Sequence, residues 1–194
     1  MVLNVFSGSY LQPTSWDQLC EAGSSPMKKR IREDRKILSS IGVRSAKLDF
    51  YDYVARKEVK KISFGKKKEE KLKSRIEEFI VNWKPQKVFF PAGISHPDHK
   101  ILAEIGEDLR NNFKIIFYED IPYAFNNRFD GDLFYQINKE TLIEKVRLIL
   151  KYKTQLKGFL ELSGVKKVFD FEDLLYEHHF KDGRIGEVYG IEKY

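Results

Sequence analysis

Cysteine is nearly absent. Cys20 is the only one in 194 residues, which excludes an internal disulfide and a cysteine-only zinc site. No stretch approaches the roughly 18 consecutive apolar residues of a membrane span. The N-terminus, MVLNVFSGSYLQ, has no basic region followed by an apolar stretch of signal-peptide length, so a soluble, cytoplasmic protein is the expectation. Composition excludes disorder and low complexity: hydrophobic residues make up 42%, aromatics 14% and charged residues 33%. Charge of both signs is plentiful, with 35 Lys and Arg against 29 Asp and Glu, a net of +6. Much of the surplus lies in Arg56-Lys57, Lys60-Lys61 and Lys66–Lys68, beside Glu69-Glu70. Mixed signs read as a solvated helix end rather than a nucleic-acid surface. Abundant Lys and Glu also suit a heat-adapted surface.

Short apolar runs alternate with helical stripes along the chain. Val2–Phe6 reads as a buried strand entering the Ser7-Gly8-Ser9 loop, and residues 8–25 as irregular. Pro26 opens a helix carrying Met27, Ile31, Leu38 and Ile41, which Gly42 closes. Val43–Tyr51 is a second strand. Leu72, Ile76, Phe79, Ile80 and Trp83 mark an amphipathic helix. Gln86–Pro91 is a strand, Pro97 opens a helix with Ile101, Leu102, Ile105 and Leu109, and Lys114–Tyr118 is a strand. After a loop over 119–132 come a strand at Leu133–Ile137 and a long helix capped by Asn138 and carrying Leu142, Val146, Ile149 and Leu150. Phe171–His179 reads as helix and Gly186–Ile191 as strand. The alternation predicts an α/β, Rossmann-like, mostly parallel sheet with helices on both faces, in a single domain over 1–194. Ligands of such sheets lie beyond the carboxyl ends of the strands, in the loops after Phe6, Tyr51, Pro91 and Tyr118.

The loop after Phe90 reads Pro91-Ala-Gly-Ile-Ser-His96-Pro-Asp98-His99. With Pro97 first in the helix, His96 is its cap, and His99 stands three residues on, facing the same side. The positive helix end opposes imidazole protonation, which favours the neutral form that a metal ligand requires. Asp98 suits the same dipole and is placed to orient a histidine or a water. A catalytic zinc takes three protein ligands, and this pair supplies two at most. His178 and His179 are adjacent in a polar helical segment, so they point about 100 degrees apart and read as surface residues. Arg30, Glu33 and Asp34, one turn apart, read most simply as an exposed ion pair. Asp52 and Arg56 follow the second strand. Tyr118-Glu119-Asp120-Ile121-Pro122-Tyr123 combines carboxylates with aromatics, which suits a sugar or other polyol.

Together these segments resemble the PIG-L (LmbE-like) family of metal-dependent deacetylases, which remove acetyl groups from N-acetylated amino sugars. Val5-Phe6-Ser7-Gly8-Ser9 resembles its second strand and loop. Arg30-Ile-Arg-Glu33-Asp34 with Ile41-Gly42 resembles its Arg-x-x-Glu-Asp … Leu-Gly helix, and Leu48-Asp-Phe-Tyr-Asp52 with Arg56 its strand ending in an acidic residue. His96-Pro-Asp-His99 is the most specific segment; Tyr118–Tyr123 and Tyr152-Lys-Thr-Gln155 agree with a sugar-modifying branch. The resemblance implies zinc or another divalent metal held by His99, with His96 stabilising or protonating the tetrahedral intermediate and Asp98 supporting the site. Arg30, Asp52, Tyr118 and Glu119 would contact an N-acetylated amino sugar or glycoconjugate. The implied chemistry is activation of water, attack on the acetamide carbonyl and stabilisation of the oxyanion.

One departure stands out. The family's first strand ends in a His-Pro-Asp-Asp type motif, which supplies two metal ligands and the general base, and this sequence contains no such motif. The expectation is a chain lacking the first βα unit, with unpaired strand edges that favour self-association, and inactive or impaired as written. The alternatives are a non-catalytic glycan-binding relative and an S-adenosylmethionine-dependent methyltransferase, suggested by Asn4–Ser9 but lacking that motif's repeated glycines. A nucleic-acid-binding module would account for the basic runs and predicts steep salt dependence.

Overall fold

Proline and glycine set the helix limits as expected. In this computed structural model, which describes all residues except Leu11, Arg128, Asp182, Gly183 and 191–194, Pro26 begins α2 (Pro26–Ser40). Gly42 follows with φ +69°, a conformation in which a Cβ would be strained. The Arg30 to Asp34 stretch therefore rides on a rigid helix.

The chain divides into two compact units. The first, Met1–Gly65 with Lys145–Lys166, holds β1 (Val2–Asn4), α1 (Ser15–Leu19), α2, β2 (Ser45–Lys47), a π-helix at Ala55–Lys60 and, after α5 (Lys139–Ile149), the helix α6 (Lys153–Leu162). β1 and β2 pair in parallel, Val2 opposite Ser45, and an isolated bridge joins Phe6 to Asp49. Two helices go beyond the sequence expectation. α1 lies in the supposedly irregular 8–25 segment, started by a capping box in which Thr14 and Asp17 satisfy each other's backbone. α6 is separated from α5 by a turn at Leu150-Lys151.

The second unit, Lys66–Glu144 with Lys167–Tyr194, carries α3 (Lys66–Trp83), β3 (Val88–Pro91), α4 (Pro97–Leu109), β4 (Ile115–Tyr118), a 3-10 turn at Tyr123–Phe125, β5 (Leu133–Gln136), α7 (Val168–His178), β6 (Phe180–Lys181) and β7 (Arg184–Gly190). β3 and β4 are parallel, whereas β7 runs antiparallel to β4, β5 and β6. The class is α/β as expected, with a mixed sheet in this unit; Ile191 lies outside the described residues. Leu72, Ile76 and Ile80 of α3 are buried, at about 1.5–3 kcal/mol each. α4 packs on the sheet through Gly106, where a Cβ would meet Phe117 Cε1 at 2.9 Å and Phe90 Cγ at 3.0 Å. That close approach holds the start of α4 beside the carboxyl ends of β3 and β4. Among the described residues, β1 pairs only with β2 and β3 only with β4.

Candidate functional site

The site grows from the turn between β3 and α4. Ala92 N–H donates to Tyr118 O at 2.8 Å, continuing the β3–β4 ladder past Pro91. Gly93 turns the chain with φ +72°, and a Cβ there would meet that of Ala103 at 2.8 Å. His96 then caps α4 as expected: its Nδ1 accepts from the Asp98 N–H at 3.3 Å. Asp98 itself is buried in the first turn.

His99 comes to face His96, with ring centroids 4.9 Å apart. Its Nδ1 lies 2.6 Å from Oδ2 of Asp120, just past β4 and 3% exposed. The partners assign the tautomers. As a neutral imidazole, His99 donates from Nδ1 to the carboxylate and carries its lone pair on Nε2; Nδ1 of His96 accepts, which puts the proton on its Nε2. One imidazole thus offers an acceptor and its neighbour a donor. Tyr123 stands 5.4 Å from both rings. Its phenol is pushed up to about 12 by burial first and by Asp120 and Asp98 next, so it stays a neutral donor. Asp120 and Tyr123 belong to the segment singled out in the sequence, but neither was given a role: a 21-residue separation leaves no periodic signal.

Tyr118 ends β4 and is 37% exposed. Glu119 directs its carboxylate to His178 Nε2 at 3.1 Å and to the Phe129 N–H at 3.0 Å. The surface reading of His178 and His179 is corrected: the His178 side chain is 6% exposed, and His179 is buried with Nδ1 on Leu175 O. A polar helix end accepts buried imidazoles because each finds a hydrogen-bond partner.

In the first unit, Arg30 and Asp52 are brought into one cluster through a residue the sequence reading passed over. Tyr10 OH lies 3.5 Å from both Arg30 Nη1 and Asp52 Oδ2, and Arg30 Nη2 contacts Asp17 Oδ1 at 2.5 Å. Burial, with Asp52 second, raises the Tyr10 pKa. Asp52 also accepts from the Ala55 N–H at 2.7 Å. The exposed ion-pair reading of Arg30, Glu33 and Asp34 is corrected as well. Glu33 accepts from the N–H and hydroxyl of Thr154 at the start of α6, and Asp34 accepts from Asn4 at 2.6 Å and Tyr152 at 2.9 Å. At Gly8, the one glycine of the methyltransferase-like loop, a Cβ would meet Tyr51 Cδ1 at 2.8 Å and the Phe50 backbone at 3.0 Å, so close packing accounts for the glycine.

His99 Nε2, with its second nitrogen held by a buried carboxylate, has the form of a metal-ligating imidazole. No group of three His, Cys, Asp or Glu side chains that could hold a metal ion occurs among the described residues, so these donors do not by themselves fit a catalytic zinc.

No protein-family model and no curated protein matches the sequence. Solved structures do match. A triple mutant of a deacetylase from the teicoplanin biosynthetic pathway superposes with TM-score 0.73 at 22% identity, covering 97% of this chain and 83% of that one. The fold is shared. The zinc-inhibited form of teicoplanin deacetylase Orf2 gives 0.75 at 20% identity over 97% and 85% of the two chains. The A40926 pseudoaglycone deacetylase Dbv21 gives 0.74 at 21% over 97% and 83%. At these identities the likeness is one of fold. No helix among the described residues is long and apolar enough to cross a membrane.

Proposed function

We propose that the protein is a PIG-L-type deacetylase domain acting on an N-acetylated amino sugar or glycan precursor in the cytoplasm. The observation that carries this reading is the His96–His99 pair with Asp120 behind it, placed beyond the carboxyl ends of two parallel strands. The fold shared with deacetylases of glycopeptide antibiotic pathways supports it.

In this reading His99, held by Asp120, would ligate a divalent metal through Nε2. His96 presents Nε2–H to the oxygen of the acetamide carbonyl as it becomes an oxyanion, and Asp98 supports the turn that aims it. Arg30, Asp52, Tyr118 and Glu119 are assigned to substrate contact. When bound, a divalent metal would supply Lewis-acid activation of water. The sequence holds His-Pro-Asp-His once and no His-Pro-Asp-Asp segment, and the reading therefore makes the chain as written impaired in metal binding and turnover. The edges of β1 and β3 are assigned to self-association.

Zinc content and N-acetylhexosamine deacetylation, measured on the purified chain, test this. The expected result is substoichiometric zinc and slow hydrolysis that His99→Ala abolishes. Stoichiometric zinc with ordinary turnover refutes the impairment, and hydrolysis unchanged by His99→Ala refutes the site.

A further inference from the structure

Beside the histidine site, the second unit contains a cavity that no role above explains. Its volume is about 210 Å³, and its walls include Glu119, Asp130, His178, Phe129, Phe134 and Val188. At about 30 Å³ per water it holds about seven waters, the scale of one monosaccharide. Drug-sized ligands need about 300 Å³ or more.

The walls bring two carboxylates to the space, one of them paired with the His178 imidazole. Ionised Glu119 and Asp130 only accept hydrogen bonds. Glu119 is fixed by His178 and the Phe129 N–H, one partner on each oxygen, and a carboxylate has about four lone-pair sites. Among the described residues these two partners leave acceptor capacity on a carboxylate that they hold in place. Phe129 and Phe134 bring aromatic rings to the same space, which attract C–H edges and cations. Arg184 lies 4.9 Å from the Phe134 ring centroid, so a ligand's C–H face rather than its ammonium is matched to the rings. Gly186 is also part of the wall, and a Cβ there would run into Phe134 and the Tyr135 carbonyl. The backbone comes this close because no side chain intervenes.

We propose that this cavity binds a small hydroxylated molecule bearing a protonated amine, an amino sugar whose nitrogen is not acylated. Hydroxyl and ammonium groups donate to Glu119 and Asp130, and the ring's C–H face lies on the phenyl rings. An acetamide in place of the ammonium loses the charge that matches the carboxylates and adds bulk to a small space. The proposal rests on the deacetylase reading and replaces the substrate contact assigned to Glu119 with a contact to the product, since an unacylated amino sugar is the product class of deacetylation.

Titrating glucosamine and N-acetylglucosamine separately into the full chain, followed by amide NMR, tests it. Glucosamine is expected to shift the amides around Glu119, Phe134, His178 and Gly186, and to bind at least about tenfold more tightly than its acetylated form. Phe134→Ala and Glu119→Gln should each weaken binding about tenfold. Asp130→Asn, at an exposed position that leaves the buried Glu119–His178 pair intact, should weaken it several-fold. Equal or tighter binding of N-acetylglucosamine, no binding of either sugar, or indifference to all three substitutions overturns the assignment. The readout is binding, so such a failure leaves the histidine site standing, and a failure of the deacetylase reading leaves the cavity standing.

Discussion

Asp120 holds His99 from behind, Oδ2 to Nδ1 at 2.6 Å, while its other oxygen, Oδ1, is buried with no hydrogen-bond partner. A buried carboxylate in this position fixes the tautomer and orientation of the imidazole. Asp120→Ala is expected to convert His99 from the Nδ1–H form to a mixture, read from imidazole nitrogen shifts, and to lower any hydrolysis about 10–100-fold. An unchanged tautomer in Asp120→Ala would sink this role. Asp120→Asn keeps an acceptor and should retain more of the Nδ1–H form.

Asp17 is fully buried, contacts Arg30 at 2.5 Å and caps α1 through Thr14. Asp17→Ala strands a guanidinium whose Nε already lacks a hydrogen-bond partner. The expected loss is about 3–5 kcal/mol, measured by urea unfolding; a loss under about 1 kcal/mol would show Arg30 finding water instead.

Gly158 lets α6 lie against α1. A Cβ on it would collide with the Trp16 ring and approach Cys20 Sγ at 2.9 Å. Helix propensity alone favours Gly158→Ala by about 1 kcal/mol, whereas overpacking costs about 1–3 kcal/mol. The collision involves a large ring rather than a flexible chain end, so net destabilisation is expected. A raised thermal midpoint in this variant would contradict it.

Alkaline pH should weaken the fold. Burial first, and a neighbouring carboxylate next, raises the phenols of Tyr10, Tyr123 and Tyr152, that of Tyr123 to about 12. In the unfolded chain these groups ionise near pH 10, so above it the folded state binds more protons than the unfolded. Stability is intact below about pH 10 and falls as pH rises through the window up to about pH 12. Urea midpoints at about pH 8 and about pH 11, with tyrosinate absorbance alongside, check this; a flat midpoint contradicts it.

The sequence by itself determined the α/β class, the helix from Pro26, and His96 as a cap with His99 on the same side. These depend on periodicity, on proline and glycine geometry and on residues within one turn, all of which are local. It also directed attention to 118–123, where an acidic and aromatic run follows a strand. It could not choose between neighbours there, because successive residues beyond a strand end face different ways: Glu119 reaches His178 and Asp120 reaches His99. Tertiary structure alone decided the pairings separated by 21, 59 and 118 residues. It also gave polar residues read as surface partners in buried or half-buried positions, namely Arg30 with Asp17, Asp34 with Tyr152, and His178 with Glu119. Polar residues carry no pattern that announces burial. Whether one is buried depends on a partner arriving from elsewhere in the chain, and only the folded chain supplies that partner.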